Sequence, residues 1–242
     1  MDTRPKRLHK TLVITSFNGE LYTQYAHRFW NSFPHSDLDL KVYSEDVLDI
    51  KSTHLHIQQD FVARNEHRQI QSYKNDAVRF CYKPYAIAQC LGDWAYKYTR
   101  LLWIDADTQF HKPITEDWIT EHLYKAHTLM TYMGRPNYYS ECGVLLFNLE
   151  HPECHGYINT VRNYYDTDNL YLLPEQHDSY IWDHVRKHYE HKHKTEFYNV
   201  GVEHKVQGGH IQAHLYGEWF DHMKGKRKQQ GYSQELKRYK KH

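Results

Sequence analysis

The sequence predicts an α/β fold, a Rossmann-like mixed sheet flanked by helices, in a single domain spanning residues 1–242. Three observations carry that expectation. The runs Thr11–Thr15, Leu101–Ile104 and Gly143–Leu149 are almost wholly apolar, without the polar alternation of a half-exposed strand, as expected of strands buried on both faces. Stretches of helical spacing separate them. No Pro/Gly/Ser-rich linker divides the chain, so two smaller domains are the less economical reading.

The elements follow in order. Thr11–Thr15 (TLVIT) is the first strand, broken at Ser16-Phe17-Asn18-Gly19, and Glu20–Phe33 is the helix after it, stopped by Pro34. Leu38–Tyr43 is the second strand, while residues 44–68 are polar and give no clear signal. A helix is expected from Asp76 to Leu91, started or kinked by Pro84 and ended by Gly92. After the central strand, Thr128–Met133 and Gly143–Leu149 read as strands, with Tyr138–Cys142 a polar segment between them. Tyr157–Tyr165 and Tyr180–His188 are helices, the second capped by Ser179 or Asp178.

Composition narrows the function. Lys and Arg number 31 against 30 Asp and Glu, so there is no global field for polyanions; the basic excess sits at residues 1–10 and 229–242, expected to be mobile ends. The 22 Tyr and 21 His supply rings with polar tips, suited to sugar and base contacts. Four cysteines without C-x-x-C spacing, and the lack of a signal peptide or long apolar stretch, lead to the expectation of a reducing, cytoplasmic location. Cys142 has no base adjacent in sequence and reads as a packed thiol.

The chemistry is expected where the strand Leu101–Ile104 stops at Asp105-Ala106-Asp107. In open α/β sheets ligands bind beyond the carboxyl ends of strands, and side chains two apart in extended chain project to the same side. Paired carboxylates so placed favour a hard cation, Mn²⁺ or Mg²⁺, which keeps sites for phosphate oxygens. A bare D-x-D is weak, since Asp37-Leu-Asp39 and Asp166-Thr-Asp168 match it as well. By the same carboxyl-end rule Thr15, Ser16 and Phe17 are candidates for base or ribose contacts. Arg79 and Lys83, four apart on one helical face, can meet a diphosphate. A third group closes the set. His222-x-x-Gly225-x-x-Lys228 offers a possible metal ligand, a backbone approach to phosphate and a neutralising cation. His151/His155 and His184/His188 have the helical i, i+4 spacing of a zinc pair, but neither supplies the Glu of H-E-x-x-H, and no paired cysteines complete a site.

A strand ending in Asp105-x-Asp107 combined with His222-x-x-Gly225-x-x-Lys228 resembles the GT-A glycosyltransferases, and looks most like the retaining branch that includes glycogenin and the bacterial lipopolysaccharide galactosyl- and glucosyltransferases. The similarity covers roughly Thr11–Lys228. It implies that Asp105, Asp107 and His222 hold Mn²⁺ or Mg²⁺, that Gly225 and Lys228 hold the donor diphosphate, and that Thr15–Phe17 contact uridine. Gln176 and Asp178 fall where those enzymes carry a D-Q-D-like motif facing the donor sugar, although here the residues are Glu175-Gln176-His177-Asp178, and the family's K-P-W ending is replaced by Lys228-Gln229-Gln230. The resemblance implies a metal-dependent transfer of a hexose or pentose from a nucleotide-sugar, UDP-linked, to a glycan or other hydroxyl acceptor with retention. Asp178 is assigned to the transferred sugar, with Gln176 and Glu141 as further catalytic candidates. Two alternatives stand beside it: transfer to modified bases in DNA, for which the basic tail is suited, and a non-catalytic nucleotide- or carbohydrate-binding protein on the same fold.

Overall fold

The computed structural model describes residues 10–33, 38–203, 215–225 and 228. Strand β1 (Thr11–Ser16) leads into a helical passage in three parts: α1 (Gly19–Leu21), a π-helical turn at Tyr22–Ala26 and α2 (His27–Ser32). Next come β2 (Asp39–Ser44), β3 (Thr53–His54), α3 (Gln59–Asn65) and the long helix α4 (Ala77–Trp94). Strands β4 (Arg100–Ile104) and β5 (Thr108–Phe110), helix α5 (Glu116–His122) and the hairpin β6 (Met130–Arg135) and β7 (Tyr138–Asn148) follow. The described chain continues through α6 (Cys154–Asp166), α7 (Asp178–Lys192), β8 (Tyr198–Asn199), α8 (Val200–Glu203) and β9 (Phe220–His222).

Seven strands form one mostly parallel sheet in the order β3-β2-β1-β4-β7-β6-β8, and β5 pairs with β9 in a small second sheet. Strand β4 lies between β1, parallel to it, and β7, antiparallel to it. Its lack of alternation has a direct cause. Leu101 and Trp103 pack into the core beneath α4, α6 and α7, whereas Leu102 and Ile104 pack into a second core with α2 and α5. Both faces are therefore paid for by apolar burial, and the strand's end is left as the polar boundary.

Four local expectations differ from the structure. Helix α4 runs through Pro84 and past Gly92 to Trp94, because Asp76 caps its start by accepting from Arg79 N at 3.2 Å and Gly92 does not adopt the left-handed backbone of a C-terminal cap. Residues Tyr138–Cys142, the polar segment between the two expected strands, form the first half of β7, paired with β6 across two register shifts. The cap of α7 is His177, whose Nδ1 accepts from Tyr180 N, so Asp178 is the first helical residue. Residues 44–68 contain β3 and α3. The expected stop at Pro34 and the basic ends 1–9 and 229–242 lie outside the described residues. Among the described residues no helix is long and apolar enough to cross a membrane, and all four cysteines are buried and unpaired.

Candidate metal and nucleotide site

Asp105 and Asp107 follow the end of β4, where Asp105 N donates to Gly143 O on β7 at 2.8 Å. The small sheet then brings in the third group from far along the chain: Thr108 of β5 lies opposite His222 of β9, and Met223 N donates to Asp107 O at 2.8 Å. His222 Nε2 thereby sits 2.8 Å from Asp107 Oδ1 and 3.4 Å from Asp105 Oδ2. The outer carboxylate oxygens are held by other partners. Asp105 Oδ1 accepts from Trp103 Nε1 at 2.7 Å and pairs with Lys83 Nζ at 2.9 Å, and Asp107 Oδ2 pairs with Lys228 Nζ at 2.9 Å.

That leaves Asp105 Oδ2, Asp107 Oδ1 and His222 Nε2 converging, as the described cluster of three potential ligands within 4.8 Å of one another. Neighbouring ligands of an octahedral ion with bonds of about 2.1 Å lie about 3 Å apart, so two of the observed separations fit a Mg²⁺- or Mn²⁺-sized ion bound on one face. Three protein ligands would leave an octahedral ion further positions for phosphate oxygens. The donor set fits the metal that the sequence motif implies.

The charges are strongly coupled. Burial alone would raise the Asp107 carboxyl, but His222 and Lys228 outweigh it and bring it down to about 2. Burial would likewise lower His222, yet Asp107 and Asp105 beside it push the imidazole up to about 9. Asp105 is held well below the usual carboxylate range, against its burial, chiefly by Lys83. Lys83 itself is buried and raised above its ordinary value, because Asp105 and Asp178, 2.9 and 2.5 Å away, overcome its desolvation.

Behind the imidazole lies Glu141. Its Oε1 is 3.7 Å from His222 Nδ1, and the carboxylate receives both Lys224, at 2.6 Å, and Arg135, at 3.3 Å. Gly143 makes room for this stack, since a Cβ there would lie 2.4 Å from His222 Cε1.

The cluster stands where two lobes of a cleft meet. One lobe, of about 400 Å³, is lined by Ser16, Phe17, Asn18, Tyr25, Glu45 and Tyr82; the other, of about 530 Å³, by Tyr73, Tyr138, Tyr139, His177, Ser179 and Lys224. Lys83, Asp105, Asp107, Asp178, Arg79 and Lys228 border both.

The predicted residues are thus brought together unevenly. Ser16 and Phe17 line the first lobe, while Thr15 is fully buried and lines neither. Glu141 and Gly225 line the second, the latter in left-handed backbone at φ 56°. Arg79 is exposed at the junction and makes no ion pair among the described residues, whereas Lys83 is already committed to two carboxylates. Gln176 stands apart from both lobes, its amide donating to Leu173 O at 2.6 Å and accepting from Asn75 Nδ2 at 2.8 Å. Trp103, Asn18, Glu45 and Tyr25 were not foreseen. Asn18 and Glu45 follow the carboxyl ends of β1 and β2, so the rule applied to Ser16 reaches them too. The Trp103 contact carries no sequence signal.

No protein-family model and no curated protein matches the chain. Solved structures do. The chain is similar to the crystal structure of a glycosyltransferase involved in the glycosylation of the major capsid of PBCV-1, at 13% identity and a TM-score of 0.51, covering 91% of this chain and 98% of that one. It is also similar to the glycosyltransferase GlyE of Streptococcus pneumoniae TIGR4, at 14% identity and a TM-score of 0.46, covering 79% of this chain and 45% of that one. The first likeness spans nearly all of both chains, and it shows that this chain shares the mixed α/β fold of that protein, a sheet flanked by helices.

Proposed function

We propose that the chain is a metal-dependent glycosyltransferase of GT-A type that moves a hexose or pentose from a nucleotide-sugar, UDP-linked, to a hydroxyl acceptor with retention. The observation that carries this reading is the convergence of Asp105 Oδ2, Asp107 Oδ1 and His222 Nε2 at the junction of two lobes. Such a position suits a diphosphate with its nucleoside on one side and its sugar on the other. Asp105, Asp107 and His222 would hold the Mn²⁺ or Mg²⁺, which when bound would supply Lewis-acid neutralisation of the leaving diphosphate.

The chain's own groups then take separate parts. Phe17, Ser16 and Tyr25 flank the nucleoside in the first lobe. Lys228 exchanges Asp107 for the diphosphate, joined by the exposed Arg79, and both cations stabilise negative charge as the glycosidic bond breaks. Asp178, held by Lys83 at 2.5 Å, meets the transferred sugar at the junction. Glu141 is bound by Lys224 and Arg135 and lies behind His222, which supports a role in orienting the imidazole over direct attack on the sugar.

The test is a thermal-shift and turnover panel of nucleotides and nucleotide-sugars with Mn²⁺, Mg²⁺ or EDTA. The reading expects UDP, with metal, to raise the midpoint and UDP to be released from one UDP-sugar. No nucleotide-dependent shift and no release from any donor would reject it.

A further inference from the structure

We propose that the acceptor is a saccharide of at least two rings, bound with its reacting ring in the second lobe and its next ring carried over Tyr138 into a neighbouring pocket. This deepens the transferase reading and rests on it.

The second lobe is walled by rings. His177 is buried and fixed by Glu175, its Nε2 2.8 Å from Oε2, and Tyr139, Tyr73 and Phe80 surround it with centroids at 5.0, 5.9 and 6.2 Å. A wall locked by mutual packing costs little to order when a ligand arrives. Rings with apolar faces and polar tips, beside a few fixed polar groups, suit the C–H faces and hydroxyls of a sugar.

The lobe does not end at that wall. A further cavity of about 410 Å³, lined among others by Tyr132, Asp183, Arg186 and Asn199, shares Arg135 and Tyr138 with it. Tyr138 is 68% exposed although it is a strand residue of β7, so its ring stands at the saddle between the two spaces. The Arg135 guanidinium lies 5.9 Å from that ring, and Arg135 Nε donates to Tyr139 O at 2.8 Å, which ties the saddle to the wall.

The charges favour a saccharide over a nucleic-acid acceptor. Along this path Lys224 and Arg135 are bound to Glu141, and Arg186 to Asp183 and Glu190, whereas Arg79 in the second lobe and Lys187 in the further cavity make no ion pair among the described residues. Cations matched locally by carboxylates do not form the row of phosphate contacts that a duplex requires.

The experiment measures transfer from the donor found by the nucleotide panel to maltose, cellobiose, lactose, chitobiose and mannobiose, to the corresponding monosaccharides, and to duplex DNA, with donor hydrolysis followed in parallel. The expected result is transfer to a disaccharide with kcat/KM about tenfold or more above its monosaccharide. In Tyr138→Ala that ratio falls toward one, and in Tyr138→Phe, which keeps the ring, it is retained. Equal rates on mono- and disaccharide, an unchanged ratio in Tyr138→Ala, transfer to DNA alone, or donor hydrolysis without transfer to any of these sugars would overturn the inference. Donor hydrolysis in the last case leaves the transferase reading standing, whereas its absence with every donor fails that reading first.

Discussion

His222 Nε2 lies 2.8 Å from Asp107 Oδ1, although 115 positions separate the two residues. The pairing of β5 with β9 creates this contact, and the site depends on it. In Asp107→Ala one of the two anionic ligands, the carboxylate nearer to His222, is lost, so metal-stimulated release of UDP from the donor is expected to fall at least about a hundredfold. Isothermal titration with Mn²⁺ should show the same loss, while undiminished release would reject the assignment.

The proton on His222 sets a pH dependence. In the metal-free protein Asp107 and Asp105 raise the imidazole to about 9, yet a metal ligand must be neutral. Metal uptake below that pH therefore expels a proton, and apparent Mn²⁺ affinity should rise about tenfold per pH unit until pH reaches about 9. The effect on stability has the opposite sense. A pKa raised above 6.5 by folding stabilises fully below 6.5, and that contribution is lost as pH rises through about 9. In EDTA the thermal midpoint should thus decline from neutral pH toward 9. Asp107, lowered to about 2, is the other half of the same interaction: its contribution is present above 3.8 and lost as pH falls through about 2.

Gly143 is tested by adding one carbon. The Cβ of Gly143→Ala would lie 2.4 and 2.6 Å from Cε1 and Nδ1 of His222, a buried ring, closer than a Cβ can approach without something shifting. His222 must tilt away from Asp107, and Mn²⁺ affinity is expected to fall about 10- to 100-fold. Far-UV circular dichroism should stay unchanged, which separates a displaced ligand from a lost fold.

Much of this arrangement was legible because a few residues carried strong local signals. The apolar run of β4 announces a doubly covered strand, and Asp105-x-Asp107 at its end announces chemistry. Tyr138–Cys142 reads as a polar segment, and residues of it line the second lobe, but its strand structure is hidden because Ser140 and Glu141 are buried against Asp183, Arg135 and Lys224, partners that only the folded chain supplies. Thr15 and Gln176 line neither lobe. Each lies beside cleft residues in sequence, but Thr15 is still inside β1, whose residues are buried on both faces, and Gln176 is tied to Asn75 and Leu173.

Trp103 gives a further test. Its indole N–H holds Asp105 Oδ1 at 2.7 Å, so that the other oxygen faces His222. Trp103→Phe keeps an aromatic ring in the core but removes the donor. Mn²⁺ affinity should fall about tenfold, with a smaller change in the denaturation midpoint. Equal affinity in the two proteins would mean that Lys83 alone orients Asp105.

Lys83 gives the sharpest separation of stability from chemistry. It is 8% exposed and lies between Asp105 and Asp178, the carboxylates assigned to the metal and to the sugar. Lys83→Met keeps a chain of similar length but leaves two largely buried carboxylates without the cation between them. Breaking such a pair typically costs about 3 kcal/mol or more, so urea unfolding in EDTA should show a clear loss of stability. Mn²⁺ places positive charge against Asp105, and saturating Mn²⁺ should therefore restore more stability to Lys83→Met than to the parent protein. Transfer should not recover with it, because Asp178 still lacks its partner. If Mn²⁺ stabilises both proteins equally, Lys83 and the metal ligands are energetically independent, and the coupling drawn from their distances is wrong.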